Sequence, residues 1–130
     1  MKRYLDPLAR FLVALIFILS GVSKIGMFGG VAGMLAAKHV PLAPVALAIA
    51  IAIEILGGVG LLLGFHTRIA AGLLIIMLVP TTLLIHVAGM ADPAQAQQQL
   101  TEVLKNLAII GALIHYASEG ARSFALDLRA

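Results

Sequence analysis

The sequence predicts an all-α integral membrane protein with four transmembrane helices in a single domain, residues 1–130. Of its residues, 62% are hydrophobic and 12% are charged, too few polar groups to cover the surface of a soluble fold. The mean hydropathy of +1.08 agrees with this. Two apolar runs also exceed the about 20 residues that a helix needs to cross a bilayer. Residues 42–64 contain one charge, Glu54, and residues 69–90 contain none.

The first predicted helix covers about residues 7–24. Asp6 suits its N-cap, and Pro7 suits the first helical position that follows. Arg10 and Lys24 lie within about 40° of one helix face, given about 100° per residue. We expect this face to meet the other helices, with the two cations extending toward opposite membrane interfaces.

The second predicted helix covers about residues 43–63, after a glycine-rich connection in which residues 31–38 form a short interfacial helix. Three glycines of this region are predicted to serve helix packing: Gly57, Gly60 and Gly64. The last two are four positions apart, a spacing that lets helix backbones approach closely in lipid.

The third predicted helix covers about residues 68–88, with Thr67 as its N-cap and a kink at Pro80 that neighbouring helices can tolerate. The fourth covers about residues 93–117, because Asp92 precedes a proline and a glutamine in the order typical of a helix start. The polar segment after this helix is expected to return to water.

Basic residues set the predicted orientation. They flank the apolar runs singly, and more of them fall on the side that holds both termini, so both termini are predicted to be cytoplasmic. Because they form no basic patch, nucleic-acid binding is excluded despite the net charge of +3. The sequence has no cysteine, which excludes disulfides, thiolate metal sites and dithiol redox chemistry.

Glu54 is the first candidate for chemistry, because a lone carboxylate halfway along a membrane helix costs at least several kcal/mol unless it is paired or protonated. Two interpretations are equally open: a buried ion pair that fixes helix register, or a carboxylate that carries a proton or binds a ligand. Helix depth predicts a polar cluster above Glu54 in the outer half of the bundle, with Arg10 reaching it from the cytoplasmic side. The other members are Lys24, His86, Lys105 and Asn106. Such a pocket suits an anion or a quinone-like carbonyl.

The histidines do not predict a metal or haem site. His86 and His115 fall near opposite ends of their helices and cannot share an iron, and no further ligand set accompanies the other two histidines. The sequence contains no phosphate loop, dinucleotide-binding fingerprint or nucleophile-elbow motif. No cofactor is therefore encoded by a motif, and no catalytic residue is assigned.

Several segments taken in order resemble the DoxX family of small bacterial membrane proteins. They are Arg10 followed by FILSGVSK at 17–24, IEILGG at 53–58, LLGFHTR at 62–68, KNLA at 105–108 and SFALD at 123–127. The resemblance covers nearly the whole chain. It implies a four-helix bundle in the bacterial inner membrane and points to the six polar residues Arg10, Lys24, Glu54, His86, Lys105 and Asn106.

The resemblance also bears on function, since some DoxX relatives are the small subunit of a thiosulfate:quinone oxidoreductase and others assemble with oxidative-stress partners. It implies a quinone as ligand and a redox protein as partner, beside the lipid bilayer. We therefore predict a non-catalytic accessory of a membrane redox system, such as a subunit of an oxidoreductase, rather than a self-contained enzyme. The alternatives are a small proton- or anion-linked transporter and a structural scaffold. Because four short helices are few for a complete transporter, the first alternative requires a homo-oligomer.

Overall fold

The computed structural model describes residues 2–129, which form helices joined by turns and contain no strand. The helices are α1 (Lys2–Gly26), α2 (Phe28–Ala37), α3 (Ala43–Leu63), α4 (Thr67–Thr81) and α5 (Ala96–Glu119). A π-helical turn, Thr82–Val87, extends α4, and a 3-10 turn, Leu126–Arg129, ends the described chain. Four helices are long and apolar enough to cross a membrane: α1, α3, α4 with its π turn, and α5. The predicted all-α four-span bundle is confirmed.

The four spans run up and down, so the bundle has two ends. The terminal face carries the start of α1, the turn between α3 and α4, and the tail after α5; the loop face carries α2 and the connection between α4 and α5. α1 packs mainly against α3, while α4 packs against α3 and α5. The short helix α2 begins three residues before the predicted position and contacts α3 through Ala32, Leu47 and Ile51.

Polarity is distributed as expected for a protein in lipid. Large apolar side chains such as Leu56 and Ile76 are about 70% exposed, at 71% and 68%, whereas Arg10 and Glu54 are buried. An apolar layer fills the centre of the bundle. Its buried members are Ala14, Phe17, Leu61, Ala71, Leu74, Met77, Leu78, Leu113 and Tyr116.

Two of the three predicted packing glycines face α4. A Cβ at Gly57 would lie 2.8 Å from Leu74 Cγ, and one at Gly60 would lie 3.0 Å from Ala70 Cβ. Gly64 has a different role from the predicted helix–helix contact. It ends α3 with φ +65°, a conformation that glycine adopts without strain, and it lies against Ala125 of the tail and the guanidinium of Arg10.

Two further glycines, which the sequence analysis did not single out, bring α1 and α3 together. A Cβ at Gly21 would lie 2.7 Å from Ile55 Cγ1, and a Cβ at Gly58 would lie 2.8 Å from Ile18 Cγ1. This close approach positions the polar side chains of α1 against α3.

The predicted start of α1 was wrong, because the helix begins at Lys2 and Pro7 lies inside it. A proline there leaves the carbonyl of Arg3 without its usual donor four residues on. The hydroxyl of Ser123 donates to that carbonyl at 2.5 Å, so the tail supplies the missing partner. Asp6 is consequently not an N-cap; it lies within the helix and accepts hydrogen bonds from the tail.

The predicted caps of α4 and α5 also differ from the structure. Thr67 is the first residue of α4, and the cap is the carboxylate of Asp127, which accepts the backbone N–H groups of His66 and Thr67 at 2.6 and 2.9 Å. At the other end of the bundle, Asp92 accepts the N–H two residues on and closes a turn. The helix α5 therefore begins at Ala96, three residues later than predicted.

α4 changes to π-helical geometry two residues after Pro80. The hydroxyls of Thr81 and Thr82 donate to the carbonyls of Met77 and Leu78 at 2.9 and 2.8 Å, which satisfies polar groups where the regular pattern is interrupted. Such π turns occur frequently at functional sites. This one borders the cavity described next.

Candidate intramembrane binding site

A cavity of about 90 Å³ lies inside the bundle, between α1, α3, α4 and α5, in the half nearer the loop face. Its apolar walls include Phe17 and Leu78. The structure brings five of the six predicted site residues to this cavity: Lys24, Glu54, His86, Lys105 and Asn106.

An ion pair between Lys24 and Glu54 joins α1 to α3 at the cavity. Lys24 Nζ lies 2.5 Å from Glu54 Oε1, and the hydroxyl of Ser20, one turn earlier on α1, lies 3.5 Å from the same oxygen. The carboxylate is buried at 5% side-chain exposure, whereas the lysine side chain is 26% exposed. The pair therefore links the interior of the bundle to its more accessible end.

The second carboxylate oxygen, Glu54 Oε2, is buried and has no hydrogen-bond partner among residues 2–129. Buried polar atoms in proteins are nearly all hydrogen-bonded, because leaving one unsatisfied costs about 1–3 kcal/mol and more when it is charged. This oxygen is thus a buried hydrogen-bond acceptor with its capacity unused, on a side chain that lines the cavity.

The π turn and α5 form the opposite wall. Asn106 Nδ2 donates to Thr82 Oγ1 at 2.9 Å, and that hydroxyl in turn donates to the carbonyl of Leu78. His86 Nδ1 lies 2.7 Å from Gln99 Oε1. Because an amide oxygen only accepts, Nδ1 carries the proton, and Nε2 is an acceptor when the ring is neutral.

Lys105 lines the cavity, but its ammonium group is bound to Glu102. Lys105 Nζ lies 2.5 Å from Glu102 Oε2, and the two side chains are 43% and 33% exposed. The two lysines near the cavity are therefore each paired with a carboxylate, Lys24 with Glu54 and Lys105 with Glu102. The site has no excess of positive charge.

Arg10, the sixth predicted site residue, lies elsewhere, at the terminal face. It is fully buried, and all five of its N–H donors are used. Its acceptors are Asp6 Oδ2 and the carbonyls of Leu61, Leu62, Ser123 and Phe124, at 2.6–3.2 Å. The apolar layer that contains Ala14 and Phe17 separates Arg10 from the cavity.

Sequence reasoning did not single out four polar residues of this region: Ser20, Thr82, Gln99 and Glu102. Ser20 precedes Lys24 by four positions and Glu102 precedes Lys105 by three, spacings that place each pair on one helix face. Those two were thus detectable. Among residues 2–129, no group of three or more histidine, aspartate and glutamate side chains is placed to hold a metal ion.

Comparison with known proteins gives two matches. Residues 5–87 match the DoxX family, a stretch that includes Lys24, Glu54 and His86 and ends before α5. The chain is also 30% identical over 122 residues to the inner membrane protein YphA of Escherichia coli (strain K12), covering 94% of this chain and 87% of that protein. No solved structure matches the sequence.

Proposed function

Since this chain belongs to the DoxX family, we propose that it is an inner-membrane accessory of a redox system that binds a quinone or quinol head group beside Glu54. The observation that carries the proposal is the buried, unpartnered Oε2 of Glu54 next to the ammonium group of Lys24. The printed name of the Escherichia coli relative supports an inner-membrane location.

The hydrogen-bonding chemistry favours a quinol-type ligand over an anion. Glu54 Oε2 requires a donor, which a quinol hydroxyl provides, and it would repel an anion. Lys24 offers N–H groups to a second oxygen of the same head group. The carboxylate is also placed to take the proton that a bound hydroxyl releases. The cavity also has no net positive charge, which again favours a neutral quinol over an anion.

The accessory role follows from what the side chains offer. Those at the cavity bind, orient and exchange protons, and the sequence contains no cysteine for thiol redox chemistry. We therefore assign the electron acceptor to a partner redox protein. The DoxX protein would hold the quinol in the membrane where that partner docks.

The orientation proposed for the bundle has both termini in the cytoplasm. Six of the nine lysines and arginines belong to the terminal face by position, namely Lys2, Arg3, Arg10, Arg68, Arg122 and Arg129. Three belong to the loop face, namely Lys24, Lys38 and Lys105. The positive-inside rule then puts the terminal face inside, so that the cavity lies in the outer half of the bilayer.

The apolar layer favours a binding pocket over a transport path. Leu74, Leu113 and Phe17 are at most 3% exposed, and they lie between the cavity and the Arg10 network. An ion or proton moving from the cavity to the terminal face would have to cross this layer, whose buried side chains are apolar apart from that of Tyr116. A closed pocket is what the accessory role requires.

The test is mass spectrometry of small molecules extracted from the protein purified in mild detergent. We expect quinol or quinone to be retained by the wild type and lost from Glu54→Gln, which replaces the acceptor Oε2 by a donor. The matched control is Glu119→Gln, the same change at an exposed carboxylate of the terminal face, which should retain the ligand.

Equal amounts of quinone in all three proteins would show that it binds away from Glu54. A lack of ligand in the wild type, with loss of stability in Glu54→Gln, would favour the structural scaffold instead.

A further inference from the structure

We propose that the apolar groove between α3 and α4 binds the chain of an amphiphile whose polar end lies at Glu54. The ligand is then a molecule dissolved in the membrane, such as a long-chain isoprenoid quinol, rather than a small water-soluble one. This inference rests on the proposed function and names the class of its ligand.

The size of the cavity is the first argument. At about 90 Å³ it has room for a polar end group or a few water molecules. Sites that enclose a whole drug-sized ligand are larger, at about 300–1,000 Å³. A ligand held by Glu54 must therefore extend beyond the cavity, and the neighbouring space determines what the rest of it is.

The neighbouring space is an apolar groove of about 280 Å³. It runs between α3 and α4 toward α2, and its lining includes Ala46, Ile53, Met77 and Pro80. Ile49, which is 56% exposed, stands at its margin, so the groove faces the lipid. Its surroundings suit a hydrocarbon chain and offer nothing to a polar one.

A single layer of side chains separates the groove from the cavity. Thr81 lines both spaces. Ile53 and Met77 line the groove, and the residues that directly follow them, Glu54 and Leu78, line the cavity. A chain lying in the groove therefore places its head group one side chain away from the carboxylate.

The wall between the two spaces is also the place where α4 departs from regular helix geometry. Pro80 lacks an N–H, and the π turn begins at Thr82, so this segment has fewer regular backbone hydrogen bonds than the helix on either side. Because Thr81 lines both spaces, we expect movement of this segment to join groove and cavity and to let the ligand enter laterally from the bilayer.

The experiment compares two quinols in phosphatidylcholine nanodiscs: a benzoquinol with an isoprenoid chain, and the same benzoquinol with a methyl group in place of the chain. Ala46→Phe fills the groove without adding polarity. We expect it to raise the Kd for the long-chain quinol by about tenfold, an ordinary effect of overpacking an apolar site. Binding of the methyl quinol should not change, which also shows that the variant is folded.

Two further variants complete the design. Ala48→Phe is the matched control, because Ala48 is exposed on the same helix and lines neither the groove nor the cavity, so this variant should bind both quinols as the wild type does. Leu84→Trp narrows the proposed groove from α4 and should repeat the effect of Ala46→Phe.

The outcomes separate the two proposals. One outcome is that Glu54→Gln abolishes binding of both quinols while the groove variants bind the long-chain quinol with the wild-type Kd. The polar site would then be supported, and the inference that the groove binds the chain would be overturned. Binding of neither quinol to the wild type overturns both proposals.

Discussion

The bundle buries two charged clusters, and they differ in how completely their polar atoms are paired. At the terminal face, Arg10 is 0% exposed and each of its donors has an acceptor. In the cavity, Glu54 is 4% exposed, yet one of its two oxygens has no partner among the described residues. Both cost free energy to desolvate, and the first recovers much more of that cost through hydrogen bonds.

This difference separates a structural role from a binding role. A saturated cluster has no capacity left for a ligand, so its contribution is to hold α1, α3 and the tail together. An unsaturated acceptor contributes less to stability than a paired one, but it can gain a hydrogen bond when a donor arrives. Removing the charge should therefore destabilise the first cluster much more than the second.

The largest effect is expected for Arg10→Met. It removes the guanidinium that pairs with Asp6 and donates to several carbonyls, and removing one member of a buried ion pair costs about 3–5 kcal/mol of unfolding free energy. Unfolding in mixed SDS and detergent micelles measures this. Lys2→Met, at an exposed cation of the same face, should change stability by less than about 0.5 kcal/mol. Similar losses in both variants would contradict the structural role of the Arg10 network.

The next effect is expected in the apolar layer that separates the clusters. Gly57→Ala pushes a methyl group against Leu74, and we expect a loss of about 1–3 kcal/mol, the usual cost of overpacking. Gly72→Ala on α4 meets no atom within 4 Å and should be neutral or gain up to about 1 kcal/mol, because alanine favours the helix. Thermal midpoints of the two variants, measured side by side, check the prediction. An unchanged midpoint in Gly57→Ala would mean that the apolar layer is loosely packed.

A smaller effect, dependent on pH, is expected at Asp127. Burial alone would raise the pKa of its carboxyl group, but hydrogen bonds from Thr67 and His66 outweigh this and hold the pKa below its ordinary value of 3.8. The stabilisation is therefore complete above pH 3.8 and is lost as the pH falls through the lower pKa of the folded state. Asp127→Asn should cost about 0.3–1 kcal/mol at pH 7, because the amide keeps one acceptor oxygen but loses the negative charge that is favourable at a helix N-terminus.

Unfolding free energies measured from pH 7 to pH 3 test whether the stabilisation by Asp127 is lost as the pH falls. The wild-type and Asp127→Asn curves should lie a constant distance apart down to about pH 4 and converge below it. A gap that widens as the pH falls would mean that the carboxylate is not the cap of α4.

The smallest change in stability is expected for Glu54→Gln. The amide oxygen keeps an acceptor for Lys24, the partly exposed ammonium group can recruit water, and an unsatisfied charged oxygen is removed. We expect the unfolding free energy to change by less than about 1 kcal/mol. A loss as large as that of Arg10→Met would erase the distinction between the clusters and make Glu54 a structural residue.

The fold was predictable because hydropathy and helix length act locally. Four apolar segments gave the spans, and Gly57 and Gly60 were found at the contact with α4. Helix starts were less predictable because their partners are distant in sequence. The cap of α4 is Asp127, and the carbonyl that Pro7 leaves free is satisfied by Ser123.

The candidate site was predictable in part for a similar reason. Helix depth alone indicated that Lys24, Glu54 and Asn106 lie at neighbouring heights, and the cavity lies among them. Depth did not reveal that Lys105 pairs with Glu102, although their spacing of three residues on one helix could have done so. Nor did it reveal that the tail folds back over Arg10, since short irregular segments have no periodic pattern.

The bond between Arg10 and the tail also sets an order of events during synthesis. Arg10 enters the membrane with the first helix, but its acceptor on Ser123 lies 113 residues later in the chain. At about 5–20 residues per second, that acceptor leaves the ribosome on the order of ten seconds afterwards. Throughout this interval the guanidinium lacks its two tail acceptors, and water must take their place. The hydrogen-bond network of Arg10 is thus complete only after all four spans are present, and a product without the tail lacks two of its five acceptors.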